Sequence, residues 1–279
     1  MNVLNYYAYS KINLGLQVLN LRKDGYHNIN TVFYLINLYD ELTFSKSDTI
    51  EIITEPELNI PIEENLIYKA GKLFLKEFHV KGGFRVDVKK NIPLGGGLGG
   101  GSSDATTTII ALNRLYDVAA SYHNLQKVTN MIGSDCGFFL SGARLAKGWG
   151  RGENIKVIHA PILTNVAIVN PGLHISTPEA YSMLNRNSRY MVDIDYEKFI
   201  EEYHHEPSRF KDFLTNDFED VIFEKYPEIK LIKERLYEMG ADFALMSGSG
   251  STVFGLFDTE IKINDLQKEF PDYFCYVSA

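Results

Sequence analysis

The residues best suited to chemistry lie in one run, Ile92-Pro93-Leu94-Gly95-Gly96-Gly97-Leu98-Gly99-Gly100-Gly101-Ser102-Ser103-Asp104-Ala105. Glycines lack a Cβ, so their N–H groups can approach an anion closely. Before the run, Phe84, Val86 and Val88 alternate with Arg85, Asp87 and Lys89, the pattern of a strand. After it, Ala105, Ile109, Leu112 and Tyr116 recur at helical spacing. A helix start adds free N–H groups and a positive dipole end to the glycine amides. Together these features predict a cradle for a polyphosphate, and the hydroxyls of Ser102 and Ser103 could hold phosphate or Mg²⁺. A linker is polar and structureless, unlike this run with its strand and its amphipathic helix. No Gly-Lys-Ser/Thr closes the run, so it is not a Walker A loop. Gly95, Gly97 and Gly100 match the dinucleotide pattern Gly-x-Gly-x-x-Gly, but so rich a run matches almost any glycine pattern. The acid at the expected spacing, Asp117, ends the helix instead of a second strand.

Other candidates need elements to carry them. Ile12, Leu14, Leu16 and Val18 alternate with Lys11, Asn13, Gly15 and Gln17, so Lys11 and Asn13 share the polar face of a strand. By residue type alone that face is either solvated or functional. Lys23-Asp24-Gly25-Tyr26-His27 reads as a turn, because Asp-Gly accommodates positive φ. Strands are expected around 31–37, 41–45 and 49–54. A helix starts at Pro61-Ile62-Glu63-Glu64-Asn65-Leu66 with acids in its first turn, and Asn65 is a possible start residue. Another over 124–132 turns Leu125, Val128, Met131 and Ile132 inward, and Gly133 stops it. Asp135 follows in a turn. Thr177 is expected to cap a helix with Pro178 at its first position, bringing Tyr181 onto the same element. The turn Ser247-Gly248-Ser249-Gly250-Ser251 separates strands at 243–246 and 252–257.

Bulk properties exclude several classes. The 279 residues allow one large or two ordinary domains. The chain is 45% apolar and 23% charged, enough to build a core. A formal net charge of −8 argues against nonspecific binding to nucleic acid or anionic membrane. Cys136 and Cys275 make no disulfide or metal framework and fit a reducing cytoplasm. The first residues lack a basic segment followed by an apolar one, and no apolar run approaches membrane-spanning length. A cytoplasmic location follows as the expectation.

The run Pro-x-Gly-Gly-Gly-Leu-Gly-Gly-Gly-Ser-Ser-Asp-Ala resembles the phosphate loop of the GHMP kinases, the superfamily of galactokinase, homoserine kinase and mevalonate kinase. The similarity extends from about Ala8 to Phe257. It implies an α+β fold with an N-terminal mixed-sheet nucleotide-binding domain over 1–158. A C-terminal ferredoxin-like α/β sandwich would cover 159–279, with the active site in a cleft between the two. It implies ATP and Mg²⁺ as cofactors, Mg²⁺ near Ser103, and a loop Pro93, Leu94, Gly95, Gly96, Gly97, Leu98, Gly99, Gly100, Gly101, Ser102 and Ser103 on the ATP phosphates. Asn65 and Leu66 resemble the family's Asn-Leu segment beside adenine, and Lys90 a family lysine near the nucleotide. Ala-Tyr-Ser-Lys-Ile-Asn-Leu resembles the opening segment, in which Lys11 would contact the reacting hydroxyl and Asn13 would hold substrate. Asp135, in Gly-Ser-Asp-x-x-Phe-Phe, resembles the catalytic aspartate, although Cys136-Gly137 stands where the family has Val-Pro. Asp24-Gly25-Tyr26-His27 resembles the branch that phosphorylates a cytidine-diphosphate-linked polyol, with Tyr26 and His27 on the base and Thr177 and Tyr181 beside it. Gly248 and Ser249 resemble a third motif that offers backbone N–H groups to substrate. The resemblance further implies a monomer or weak homodimer with no nucleic-acid or membrane partner. A homoserine- or mevalonate-type kinase and a non-catalytic nucleotide-binding regulatory protein are the alternatives. The Asp-Gly-Tyr-His turn speaks against the first, and the presence of both Lys11 and Asp135 against the second.

Overall fold

A computed structural model of the chain describes residues 3–160, 165–184 and 194–278. Its first part runs β1 (Leu4–Leu21), β2 (His27–Ser47), β3 (Glu51–Glu55), α1 (Leu66–Glu77), β4 (Gly83–Lys89), α2 (Gly100–Leu115), α3 (Tyr122–Asn130), α4 (Cys136–Ser141), β5 (Leu145–Gly150) and β6 (Asn154–Val157). Then come β7 (Val166–Asn170), α5 (Thr177–Met183), α6 (Tyr196–Tyr203), α7 (Glu219–Lys225), α8 (Pro227–Glu238), β8 (Phe243–Met246), β9 (Val253–Leu256), α9 (Ile263–Glu269) and β10 (Phe274–Ser278). The chain divides into two compact units, each drawn from several segments. The first holds Met1–Ser10, Leu38–Ile92 and Gly99–Gly142; the second holds Lys11–Asn37, Pro93–Leu98 and Ala143–Ala279.

In the first unit β4 pairs parallel with β3 and antiparallel with the C-terminal part of β2, setting Leu42 opposite Val88 and Phe44 opposite Val86. The alternation in the sequence gives these strands one apolar face. Phe44, Phe84, Val86 and Val88 are buried there with Ile67, Ala70 and Phe74 of α1 and with Ala105, Ile109 and Leu112 of α2. On the opposite face Arg85 and Asp87 pair with each other at 2.7 Å. Gly71 brings α1 close to β4: a Cβ at this position would lie 2.2 Å from the Phe84 ring.

In the second unit the N-terminal part of β2 pairs antiparallel with β5, from Ile29 opposite Gly150 to Tyr34 opposite Leu145, and β6 pairs with β5. A separate antiparallel sheet has the order β10-β7-β9-β8. Numbered within that sheet this is 4-1-3-2, joined by helices as a ferredoxin-like sandwich. Its core gathers Ala167, Val169, Ile222, Ile229, Ile232, Leu236, Met246 and Val253.

Several sequence expectations change. The strands expected at 31–37 and 41–45 are one continuous strand, because Asp40 is a fully buried residue within it and not a turn former. The face of β1 bearing Lys11, Asn13 and Gln17 is buried, at 3%, 3% and 6% exposure, so it is not a solvated face. Glu63 and Glu64 occupy a short 3₁₀ turn ahead of α1, which starts at Leu66 with Asn65 as its cap. α3 ends at Asn130, which leaves Met131 69% exposed beyond the last turn instead of inward. The cap of α5 is Ser176, not Thr177: Ser176 is extended, and its Oγ accepts the Glu179 N–H at 3.3 Å. Among the described residues, no helix is long and apolar enough to cross a membrane.

Gly71→Ala should destabilise the protein by about 1–3 kcal/mol, the range for overpacking a close-packed interior. In a Phe84→Leu background the same change should cost about half as much or less, because the two sites touch and couple. Urea unfolding of the four variants of this cycle checks both values; equal costs in the two backgrounds would disprove the contact.

Candidate active site

Pro93–Leu98, the first half of the glycine run, lies in the second unit with Lys11 and the 247–252 turn. Gly95 and Gly97 take φ of +62° and +77°, the left-handed region that glycine populates without steric cost. The Gly97 carbonyl accepts hydrogen bonds from the Lys11 ammonium and the Ser247 hydroxyl, both at 2.9 Å. The Lys11 amide donates to the Leu98 carbonyl at 2.9 Å, and the Thr252 amide to the Gly96 carbonyl at 3.2 Å. Side chains have no room here. A Cβ on Gly97 would lie 2.0 Å from the Ser247 carbonyl oxygen, one on Gly96 2.5 Å from Asn170 Nδ2, and one on Gly95 2.0 Å from His174 Nδ1. The loop is therefore a fixed shape whose carbonyls are engaged from behind.

Lys11 is held as tightly as the loop. Its ammonium also donates to Asn13 Oδ1 at 2.6 Å and lies 5.7 Å from the Phe33 ring centre. The Asn13 side-chain amide donates to the Thr31 hydroxyl at 2.8 Å, which donates to the Gly15 carbonyl at 2.6 Å. The Asn13 backbone N–H donates to Ser247 Oγ at 3.2 Å. Asn216 fixes the neighbouring turn through the carbonyls of Met246, at 2.7 Å, and Gly248, at 2.8 Å. Ser249 Oγ lies 3.4 Å from the Thr177 hydroxyl. As the first residue of α5, with Ser176 capping, Thr177 keeps its hydroxyl for this contact.

The Asp-Gly-Tyr-His segment forms the expected turn. The Arg22 amide donates to the Tyr26 carbonyl at 2.7 Å, the Tyr26 amide donates to Asp24 Oδ1 at 3.2 Å, and Gly25 has φ +83°. Tyr26 is 55% exposed, with the Arg151 guanidinium 5.1 Å from its ring centre, within cation–π range. The His27 ring stacks on Tyr181, with centroids 5.2 Å apart and planes at 16°. Tyr181 in turn meets Phe218 edge to face at 5.0 Å. Partial burial lowers the His27 pKa below the usual histidine value, which favours the neutral ring.

The first unit holds the rest. Gly99, with φ +71°, precedes α2, whose first turn carries Ser102 and Ser103. Asp135 opens α4, and its turn is tied to this helix: Thr106 Oγ1 lies 3.4 Å from the Cys136 carbonyl, and the Cys136 thiol lies 3.6 Å from the Ser102 carbonyl. Burial pushes the Cys136 thiol up to about 11, so it stays protonated and unreactive at neutral pH. Asn65 Oδ1 accepts the Ile67 N–H at 2.8 Å as the cap of α1. Leu66 lies beside the loop, its Cδ1 3.2 Å from where a Cβ on Gly101 would be. The Lys90 ammonium is buried between Asp40 and Asp104.

The structure thus gathers Lys11, Asn13, Gly96, Gly97, Leu98, Thr177, Gly248 and Ser249 around one loop, stacks His27 on Tyr181, and leaves the Tyr26 ring in contact with Arg151. Sequence reasoning missed Thr31, Asn170, His174, Asn216, Ser247 and Thr252, which brace the loop or its neighbours. The Ser-Gly repeat marked only the turn that carries Ser247. It also missed Asp40 and Asp104.

The family model described as GHMP kinases N terminal domain matches residues 65–143, and the one described as GHMP kinases C terminal matches 198–274. A 4-diphosphocytidyl-2-C-methyl-D-erythritol kinase of Thermodesulfovibrio yellowstonii is 41% identical over 276 residues, covering 97% of this chain and 95% of its own length. The chain belongs to the GHMP kinase family. A relative of the same name from Prosthecochloris aestuarii is 37% identical over 93% of this chain and 91% of its own length. The crystal structure of a 4-(cytidine 5'-diphospho)-2C-methyl-D-erythritol kinase matches with a TM-score of 0.81 at 30% identity, covering 99% of this chain and 98% of that one. A homoserine kinase from Cytophaga hutchinsonii, at 17% identity and a TM-score of 0.69 over 100% of this chain and 95% of its own, shares the GHMP kinase fold.

Gly97→Val should weaken ATP binding by about tenfold or more, because a branched side chain suits neither this φ nor the space before Ser247. Calorimetric titration with ATP and with a cytidine diphosphate compound checks this. Unchanged ATP affinity in a folded variant would refute the cradle.

Proposed function

We propose that this GHMP kinase transfers the γ-phosphoryl group of ATP to the 2-hydroxyl of 4-diphosphocytidyl-2-C-methyl-D-erythritol, yielding the 2-phosphate and ADP in the non-mevalonate isoprenoid pathway. That the chain is an ATP-dependent small-molecule kinase follows from its family. The observation that carries the reading is the Lys11 ammonium, 3% exposed and bonded to the carbonyl of Gly97. It fixes a cation at a glycine loop whose left-handed residues leave amides free of side chains. The acceptor rests on the relatives named above and on the turn that exposes Tyr26, the residue before His27, whose ring stacks on Tyr181.

Phosphoryl transfer asks a protein mainly for alignment and charge stabilisation. Gly95–Ser103 would take the ATP phosphates, with Asn65, Leu66 and Lys90 on the nucleoside side. The Lys90 ammonium is already bonded to two carboxylates, so its part there is to fix the chain around it. Mg²⁺ holds few protein ligands and several waters. The first-turn hydroxyls of Ser102 and Ser103 are the oxygens this segment offers it, and it would supply neutralisation of phosphate charge. Asp135 would accept the proton of the acceptor hydroxyl, and Lys11 would stabilise the oxygen that attacks. Asn13, Thr177, Gly248 and Ser249 would hold the polyol, with Tyr26, His27 and Tyr181 at the cytosine. In this reading 1–158 binds ATP and contributes Lys11, Asn13, Tyr26 and His27 to the acceptor, and 159–279 serves the acceptor, in a cytoplasmic monomer or weak homodimer.

Asp135→Asn should keep the fold and both affinities and lower turnover by about 10²–10⁴-fold, the usual contribution of a positioned base. Turnover within about twofold of the parent would remove Asp135 from that role. Tyr26→Ala should weaken the cytidine substrate by 1–3 kcal/mol, roughly 5- to 150-fold, and leave the ATP KM unchanged, whereas Tyr26→Phe keeps most affinity because stacking uses the ring. Kinetics varying each substrate separately decide this, and equal losses toward both substrates would sink the stacking role.

A further inference from the structure

The segment Asn216-Asp217-Phe218-Glu219, at the entry to α7, reaches into several parts of the second unit. The Asn216 side chain is buried. Its Nδ2 donates to the carbonyls of Met246, at 2.7 Å, and Gly248, at 2.8 Å, and its Oδ1 accepts the Phe218 N–H at 3.0 Å. Glu219 accepts the Met246 N–H at 2.9 Å on one oxygen and the Lys233 ammonium at 2.6 Å on the other. The N–H and the carbonyl of Met246, at the end of β8, are thus both held by this segment. Asp217 turns to β1 instead. Its Oδ2 accepts the Val18 N–H at 2.7 Å, and its amide donates to the Leu16 carbonyl at 2.9 Å. The Leu16 amide donates to the Thr215 carbonyl at 2.8 Å, closing a short parallel bridge between Leu16 and Asn216. Phe218, also buried, meets the Tyr181 ring edge to face, and Tyr181 stacks on His27.

Buried backbone groups outside regular structure need partners, and side chains that supply them order both partners at once. Asparagine suits its place here because one short side chain carries two donors and an acceptor. Two carbonyls and an N–H are what surround it. The turn it holds carries Ser247, whose hydroxyl donates to the same Gly97 carbonyl that takes the Lys11 ammonium. The turn also carries Gly248, with φ +59°, which lies against Asn13: a Cβ there would be 3.4 Å from Asn13 Oδ1. Asp217 holds the strand on which Lys11 and Asn13 stand. At the far side of the segment, the edge-to-face contact of Phe218 is directional, so it fixes the plane of Tyr181 as well as filling space.

We propose that Asn216, Asp217 and Phe218 are positioning residues for the acceptor, a tie that fixes the spacing between the Lys11 end of the site and the His27–Tyr181 pair. The inference rests on the reading above, with the polyol by Lys11, Asn13 and Gly248 and the cytosine by His27 and Tyr181. The ends of the tie serve different steps. Asn216 and Asp217 set the turn and the strand around Lys11, where the hydroxyl reacts, so their loss falls on kcat. Phe218 sets Tyr181, where no bond changes, so its loss falls on binding that is equal in the ground and transition states.

Asn216→Ala removes the donors to the Met246 and Gly248 carbonyls. Its kcat should fall about tenfold or more, while the ATP KM and the affinity for cytidine diphosphate stay within about twofold of wild type. Phe218→Leu keeps an apolar side chain and loses the ring edge. Its affinity for cytidine diphosphate should weaken several-fold and its acceptor KM rise to match, with kcat and the ATP KM within about twofold. Kinetics with each substrate varied and calorimetric titration with cytidine diphosphate read these values, at a temperature where melting curves show the variants folded. Losses of kcat, ATP affinity and cytidine diphosphate affinity in one common proportion would mean general damage and overturn the positioning role. Unchanged kcat in Asn216→Ala, or unchanged cytidine diphosphate affinity in Phe218→Leu, would overturn the tie. If Asn216→Ala does not fold, Asp217 decides its end. Asp217→Ala should lower kcat several-fold, and Asp217→Asn, which keeps an oxygen for the Val18 N–H, should hold it within about twofold of wild type; equal kcat in the two would overturn the tie. Wild type that neither binds cytidine diphosphate nor phosphorylates the acceptor would refute the acceptor reading and the proposal with it, whereas unaltered variants beside an active wild type overturn the proposal alone.

Discussion

The Gly97 carbonyl is the point on which the second unit's functional residues depend. It accepts an ammonium from β1 and a hydroxyl from the turn after β8, each at 2.9 Å. The Lys11 ammonium and the Ser247 hydroxyl could not both reach one oxygen if a side chain stood between them. Glycine's left-handed φ and missing Cβ are therefore conditions of the whole arrangement. With its carbonyls bonded from behind, the loop has little freedom left to lose, and in the proposed role as the ATP-phosphate cradle such preorganisation would preserve binding energy for the reaction.

Lys11 illustrates how burial and charge are reconciled. A lysine at 3% exposure needs acceptors, and Asn13 and Gly97 provide them. Asn13 is itself oriented by Thr31, and Thr31 by the Gly15 carbonyl. The amide group between lysine and hydroxyl carries no formal charge, so the ammonium remains the positive end of the chain of bonds. The same logic governs Asn216, whose side-chain amide ties two backbone carbonyls on either side of Ser247.

Most of this was legible in the sequence wherever the pattern is local. The alternation through 84–88, the helical spacing after the loop and the Asp-Gly turn depend on near neighbours, and each forms as expected. The glycine run also announced the family. What the sequence could not show is which polar residues are buried. Asp40 lies among Tyr39 and Glu41 like a turn residue, yet it is fully enclosed because its partners come from 50 and more residues away. Met131 looked apolar enough for the core, but the helix ends one residue too early to carry it there. The capping hydroxyl fell to Ser176 instead of Thr177 because two adjacent hydroxyl residues offer the same chemistry and only the backbone angles choose between them. His174 has no signal at all: its ring reaches Gly95 through the path of a loop that no periodicity describes.

The unbroken course of β2 limits what can happen to its gene. Thr31, which orients Asn13, and Asp40, which receives the amides before the glycine loop, stand on the same 21-residue strand. Successive residues of a strand face opposite ways, so adding or deleting one residue between them would reverse every side chain on one flank. A substitution in 32–39 leaves that register in place. A change of length there does not, so in-frame insertions and deletions should be missing from this stretch among functional variants.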